Sequence, residues 1–189
     1  MPRHTSPVDT PSPRERILHA AHTLFYSQGI RATGVDKIIE AAAVTKVTFY
    51  RHYPSKELLV MAYLEFRHER WMKWFRASLA SKLAAGASRV DALAITLREW
   101  FDDAEFRGCA FLNAAAEFGS THPEILKIVR DHKNDVARCL DETFERPGNN
   151  LGAQLTVAID GAIVHAQMGE PADRAIEALR GLSHCALRE

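Results

Sequence analysis

The chain has 189 residues, of which 47% are hydrophobic and 25% are charged, and its formal net charge at pH 7 is zero. This composition is typical of a folded protein with a real core, and it excludes a chain that is disordered outside its ends. No apolar run is long enough to span a membrane, and the three widely spaced cysteines form neither a disulfide framework nor a CxxC zinc pair. The first residues lack the apolar segment of a secretory signal, so we expect a cytoplasmic protein.

The charge is distributed unevenly along the sequence. Residues 1–56 carry eight basic and four acidic side chains, which gives a net charge of +4. Residues 57–189 carry 16 basic and 20 acidic side chains, which gives −4. A basic segment before an acidic one indicates that the first segment meets a polyanion.

The N-terminal third predicts a tail followed by short helices. Residues 1–12 are rich in proline, serine and threonine, which predicts a disordered tail. Ser12 precedes a proline, a pattern typical of a helix start, and Gly29 predicts the end of that helix. Thr33 with Asp36 three residues later predicts a capping box at the start of a second helix.

The rest of the chain predicts further helices and no sheet. Thr45 predicts the cap of a short helix over about 45–51, and Ser55 the cap of a helix running to about Ala85, roughly 45 Å long. Breakers then separate five more segments of helical periodicity, near 88–106, 108–119, 122–145, 148–169 and 171–187. No run of alternating apolar residues is bounded by turns. The sequence therefore predicts an all-α protein of about nine helices.

The second and third predicted helices have the geometry of a helix-turn-helix, because a turn of only three or four residues joins them. Val44 and Phe49 are spaced to pack against the preceding helices. The remaining side chains of the third helix point outward and offer a cation, hydroxyl groups and methyl groups suited to phosphates and thymine: Lys46, Val47, Thr48, Tyr50 and His52.

The stretch from Thr33 to Lys56 resembles the DNA-binding signature of the tetracycline-repressor (TetR) family. The residues that carry the resemblance fall at matching spacing: Val44, Thr48, Tyr50, His52 and Lys56. The resemblance covers roughly residues 13–60. It implies a DNA-binding domain at 13–58 with a three-helix helix-turn-helix, and a helical bundle at 59–189 that binds a small ligand and forms a homodimer.

The resemblance also implies roles for single residues on an operator of double-stranded DNA. Lys46, Val47 and Thr48 match base-reading positions. The other matching or neighbouring residues are expected at the DNA backbone or groove edge: Thr33, Thr45, Tyr50, Arg51, His52 and Lys56. Gly34 replaces a hydroxyl residue that often touches phosphate in the family, and Val47 replaces a common glycine, which makes the surface facing the groove bulkier.

Residues 57–189 contain no catalytic, phosphate-binding or metal-binding motif, so we expect neither an enzyme nor a cofactor or metal site. A helical enzyme and a redox- or metal-responsive regulator are the alternatives. The metal alternative depends on polar residues that could converge: His122, His132, Asp135, Asp160 and His165. The redox alternative depends on Cys109, which we instead predict to be a small buried packing residue.

Aromatic residues predict the wall of a ligand cavity: Trp74, Trp100, Phe101, Phe111 and Phe118. The segment 109–119 is apolar nearly all round, which predicts a central helix. On it, Asn113 and Glu117 are predicted as the polar anchor for a mostly apolar, aromatic ligand that carries a donor or positive group. A structural hydrogen bond of Glu117 inside the core is an equal alternative.

The last two predicted helices combine small and apolar residues. The family resemblance implies that residues 148–187 form a four-helix interface between two copies of the chain. Packing inside one copy is the alternative. A repressor released from a palindromic operator by its ligand is the function that the whole sequence favours.

Overall fold

The computed structural model describes residues 11–147 and 149–187. Within these ranges the regular secondary structure consists of nine α-helices and one 3₁₀ turn at 119–121, without strands, which confirms the all-α prediction. The helices are α1 (Pro13–Gln28), α2 (Val35–Ala41), α3 (Lys46–His52), α4 (Lys56–Ala84), α5 (Arg89–Phe101), α6 (Ala110–Phe118), α7 (Pro123–Phe144), α8 (Leu151–Gln167) and α9 (Ala172–Ala186). Most of the predicted tail at 1–12 lies outside the described residues.

Local hydrogen bonds explain why several helices begin where the sequence predicted. The Ser12 backbone N–H donates to Glu15 Oε2 at 2.7 Å, and the Glu15 N–H donates to Ser12 Oγ at 3.3 Å, which completes a capping box. Thr45 Oγ1 accepts from the Thr48 N–H at 3.1 Å. Ser55 Oγ likewise accepts from the N–H of Leu58 at 3.2 Å, at the start of α4.

The predicted cap of α2 is wrong. Gly34 is the N-cap residue and makes no side-chain cap. The Thr33 side chain is fully buried, and its hydroxyl donates to the carbonyl of Gly29 at 2.7 Å and lies 3.3 Å from that of Leu24. The Thr33 hydroxyl is therefore bonded backward, to carbonyls near the end of α1, and does not cap the amides at the start of α2.

Helix α5 ends at Phe101, earlier than the predicted 106. Asp103 Oδ1 accepts from the Glu105 N–H at 2.8 Å, a local bond that favours a turn over continued helix. Phe106 still packs on α5, with its ring centroid 5.3 Å from that of Trp100. The aromatic periodicity thus continued past the true helix end.

The chain divides into two compact units, of which the first ends at Tyr63 and the second begins at Leu64. The boundary lies within α4, later than the predicted boundary at 58. Helix α4 crosses it because its first turns supply core residues to the N-terminal unit. Tyr63 is fully buried there and meets the Phe25 ring edge-on at 5.4 Å.

The C-terminal unit is a helical bundle in which α7 packs against α6 and α8, and α9 packs against α8 and α5. Helices α7 and α8 approach closely at Gly152, where a Cβ atom would lie 2.0 Å from the Ala137 carbonyl oxygen. The Gly152 N–H donates to Asp141 Oδ1 at 2.7 Å. In the described part of the chain, no helix is both long and apolar enough to cross a membrane.

Candidate DNA interface and ligand cleft

Helices α2 and α3 form a helix-turn-helix whose buried side rests on few residues. Ile38 on α2 and Phe49 on α3 are fully buried, and Ala42 after α2 is buried beside them. Ala43 adopts the left-handed conformation, with φ of 50°, and this makes the turn sharp. Because Phe49 is the one buried residue of α3, the rest of that short helix remains available to a partner.

The outward face of α3 carries the residues predicted to read bases. Val47 is 69% exposed, which leaves a branched apolar side chain without packing partners on a polar surface. Lys46 is exposed and lies 3.7 Å from Asp36 Oδ1, an ion pair open to solvent. Thr48 is half-buried, and its hydroxyl lies 2.9 Å from that of Thr45. A methyl group, a cation and a hydroxyl therefore stand side by side at the start of α3.

The residues predicted at the DNA backbone divide into three groups. Tyr50 and Arg51 are exposed on α3, with Tyr50 42% exposed. His52 and Lys56 are half-buried, and Lys56 Nζ lies 3.5 Å from the Arg31 carbonyl. Thr33 is a correction, because its buried hydroxyl is used inside the unit and cannot reach a phosphate.

Two of the residues predicted to line the ligand cavity share a cleft in the described part of the chain. Trp74 and Trp100 line a cleft of about 650 Å³ between α4 and α5. The other three predicted wall residues, Phe101, Phe111 and Phe118, are buried and do not line this cleft. Phe111 stacks on His132 with ring centroids 3.6 Å apart, and Phe118 meets His122 edge-on at 5.0 Å. These phenylalanines are core residues.

The predicted polar anchor does not line the cleft between α4 and α5. Asn113 Nδ2 donates to the Arg107 carbonyl, and Asn113 Oδ1 accepts from Gln167 Nε2, both at 3.1 Å. Asn113 thus ties α6 to neighbouring segments. Neither it nor the half-buried Glu117 lines the cleft between α4 and α5. Helix α6 is not central, because α7 covers one side of it while Ala116 is exposed on another.

Seven further residues line the cleft and were not predicted, and four of them are the α4 residues Arg67, Arg70, Trp71 and Lys73. Arg67, Arg70, Trp71 and Trp74 follow a helical spacing of three and four, so they lie along one stripe of α4. That spacing was visible in the sequence. Its meaning was not, because the same stripe on a helix can equally face solvent.

The polar residues on which the metal alternative depended do not converge on one site within the described residues. Asp160 is paired with Lys133 Nζ at 2.5 Å, and His165 Nδ1 lies 3.1 Å from Glu170 Oε1. Across the described residues, no group of three or more histidine, cysteine or acidic side chains is arranged to hold a metal ion. Cys109 is buried, as predicted, and its Sγ lies 3.6 Å from Lys133 Nζ.

His132 is a buried neutral histidine. Its Nδ1 lies 3.0 Å from His68 Nδ1, and His68 Nε2 lies 3.5 Å from Asp135 Oδ2. Burial lowers the pKa of His132 to about 2, and the positive charge of Lys133 acts in the same direction. Burial also raises the pKa of Asp160, against the opposing effect of Lys133.

Helices α8 and α9 present an apolar surface that the described residues leave open. Val157 is 73% exposed and Leu182 is 56% exposed, on the two sides of a groove of about 630 Å³. Small residues form its floor: Ala158, Gly161, Ala162 and Ala178. A Cβ atom added at Gly161 would meet no other atom within 4 Å. A large exposed apolar patch of this kind is typical of a protein interface.

Comparison with known proteins connects these features to one family. The family model described as bacterial regulatory proteins, tetR family, matches residues 17–63. The structure of SCO4454, a TetR-family transcriptional regulator from Streptomyces coelicolor, is 30% identical in sequence, with a TM-score of 0.75. That match covers 93% of this chain and 94% of SCO4454.

Two further relatives match more narrowly. The HTH-type transcriptional regulator TtgR from Pseudomonas putida is 38% identical over 65 residues, which are 34% of this chain and 31% of TtgR. The chain thus spans about a third of the length of that relative. The structure of the multidrug binding protein EbrR complexed with malachite green has a TM-score of 0.73 at 20% identity, over 93% of this chain and 98% of EbrR. That likeness is one of fold.

Proposed function

The chain belongs to the TetR family of bacterial transcriptional regulators and carries its helix-turn-helix DNA-binding domain, and we propose that it represses transcription until a small molecule releases it from its operator. The observation that carries this proposal is the outward face of α3, where Val47 and Tyr50 are exposed beside Lys46. Such an exposed face does not contribute to the packing of the core. The major groove of DNA, in contrast, accommodates a helix, and these groups can contact base edges there.

Base reading is assigned to the start of α3. The Val47 and Thr48 methyl groups suit a thymine methyl, and Lys46 suits the acceptors of guanine. Backbone contacts are assigned to the residues around them: Thr45, Tyr50, Arg51, His52 and Lys56. Arg51 and Lys56 neutralise phosphates and thereby supply affinity that depends on salt.

Two copies of the chain are assigned to one operator. A second copy of the chain packs on the apolar groove between α8 and α9. The small residues on the floor of the groove allow the helices of the two copies to approach closely and form a four-helix interface. A two-fold dimer presents two α3 helices, so the operator is palindromic, with half-site centres about 34–36 Å apart unless the DNA is deformed.

The ligand site is assigned to the cleft between α4 and α5. EbrR, a relative in fold, is a multidrug binding protein complexed with malachite green, which supports a ligand-binding role for this kind of bundle. Helix α4 contributes Trp74 to the cleft and Tyr63 to the core of the N-terminal unit. A ligand that favours one position of α4 over another would therefore favour one state of the dimer over another.

Selection of genomic DNA fragments by the purified protein tests this function. We expect enrichment of a palindromic sequence, and binding that weakens steeply as salt rises. The Arg130→Ala variant, changed at an exposed residue of α7, serves as the matched control and should select the same sequence. Binding without sequence preference, or enrichment of a sequence without two-fold symmetry, would overturn the proposal.

A further inference from the structure

The cleft between α4 and α5 has an aromatic floor made of all three tryptophans of the chain, Trp71, Trp74 and Trp100. The ring centroids of Trp71 and Trp74 lie 6.0 Å apart, those of Trp71 and Trp100 5.7 Å, and those of Trp74 and Trp100 6.2 Å. Trp71 is held from behind by stacking on the buried Phe75 at 4.6 Å. Three indoles in mutual contact form a surface suited to a planar aromatic ring.

The rim of the same cleft is positively charged. Arg67, Arg70 and Lys73 line it from α4. Arg70 and Lys73 are exposed, and among the described residues neither has a carboxylate within ion-pair distance. The Arg70 guanidinium lies 5.3 Å from the Phe66 ring. These two cations are therefore available to a ligand.

Two carboxylates also line the cleft, and they do not cancel this charge. Glu99 Oε1 is paired with Lys82 Nζ at 2.6 Å, outside the set of lining residues. Asp103 Oδ1 accepts a hydrogen bond from the Glu105 backbone at 2.8 Å, so it belongs to the turn after α5. With Glu99 neutralised, Arg70 and Lys73 face one carboxylate, that of Asp103.

From the aromatic floor and the cationic rim, we propose that the regulatory ligand is a planar aromatic carboxylate. The ring lies on the indoles, and the carboxylate is held by Arg70 and Lys73. This inference rests on the proposed ligand-responsive function. It reverses the charge expected from Glu117, because Glu117 does not line the cleft.

Intrinsic fluorescence tests this assignment directly, since every tryptophan of the chain lies in the cleft. Two probes, para-nitrobenzoate and para-nitrobenzylammonium, share a nitrophenyl ring that quenches fluorescence and differ in charge. A third probe, cyclohexanecarboxylate, keeps the negative charge but lacks the aromatic ring, so its binding is measured by calorimetry. We expect saturable quenching by para-nitrobenzoate, with affinity about tenfold or more above that of the other two probes.

Substitutions on α4 test which cations hold the carboxylate of the probe. Arg70→Gln and Lys73→Gln should each weaken binding of para-nitrobenzoate by about fivefold or more, whereas Arg130→Gln on α7 should leave it unchanged. Equal or tighter binding of the ammonium probe, equal loss in all three variants, or no saturable quenching at all would overturn the proposal.

Fragment selection on the same protein keeps the two hypotheses apart. Selection of a palindrome without carboxylate binding rejects this ligand class alone, and carboxylate binding without selection rejects the DNA function alone.

Discussion

The two units of this protein place their candidate sites in opposite ways. In the N-terminal unit, the outward residues lie within one short helix, α3, and a single buried side chain, Phe49, holds that helix in place. In the C-terminal unit, the cleft combines a stripe of α4 with residues of α5 that are distant in sequence. A site on one short helix can be read from local spacing, whereas a site between helices depends on how they cross.

The largest expected effect concerns the support of α3. Phe49→Ala should destabilise the N-terminal unit by about 3–5 kcal/mol, because it empties a fully buried position. Its neighbour Tyr50 is 42% exposed, so Tyr50→Ala should change stability by less than about 1 kcal/mol while weakening DNA binding. Chemical denaturation checks both, and equal destabilisation by the two variants would show that the division into buried and outward faces is wrong.

A charge in the groove between α8 and α9 should separate the two copies. Gly161→Glu places a carboxylate on the apolar floor and should raise the dimer dissociation constant by about a hundredfold, since an unpaired buried charge costs about 3 kcal/mol or more. Gly181→Glu, at an exposed glycine of α9 that does not line the groove, is the matched control. Sedimentation measures both, and a Gly161→Glu protein that remains dimeric would place the interface elsewhere.

Several features of both units were predictable because they are local. The caps at Ser12, Thr45 and Ser55 involve bonds over three residues, so the residue types alone indicated them. Thr33 has the same residue type but bonds backward to α1, and no local pattern separates the two choices. The relatives are transcriptional regulators, which confirms the predicted regulator over a helical enzyme.

The ligand cleft was not predictable for a physical reason. Trp74 and Trp100 were identified from residue type, but Phe111 and Phe118 have the same type and are core residues. The outcome depends on which side of α4 and α5 remains uncovered by other helices. Glu117 looked like a buried carboxylate only because α6 was expected to be central.

Loss of a phosphate contact should have a smaller effect on DNA affinity, and that effect should be the same for every DNA sequence. Arg51→Ala should weaken binding to every DNA by about tenfold or less and should reduce the slope of log affinity against log salt by about one. Titrations at several salt concentrations on a selected and a random duplex measure this, with Arg130→Ala as control. Loss confined to the selected duplex would make Arg51 a base reader.

Acid should weaken the C-terminal unit through His132. Its pKa is lowered from 6.5 to about 2 by burial, so the unfolded chain takes up a proton that the folded chain excludes. This destabilisation is absent above pH 6.5. As the pH falls below 6.5, the free energy of unfolding decreases by up to about 1.4 kcal/mol per pH unit. His132→Gln should flatten the dependence between pH 6.5 and 5.5, whereas His184→Gln on the exposed side of α9 should preserve it. An unchanged slope in His132→Gln would mean that this residue takes up protons equally in the folded and unfolded states.

Val47 provides the most direct test that α3 is the element that reads DNA sequence. Fragment selection should be run in parallel with the unchanged protein and with Val47→Gly. Base preference should change at one or two pairs in each half-site, with a cost of about 1–3 kcal/mol for each wrong pair, while half-site spacing remains the same. An identical preferred sequence with equal loss of affinity on every duplex would contradict the assignment of α3 as the reader.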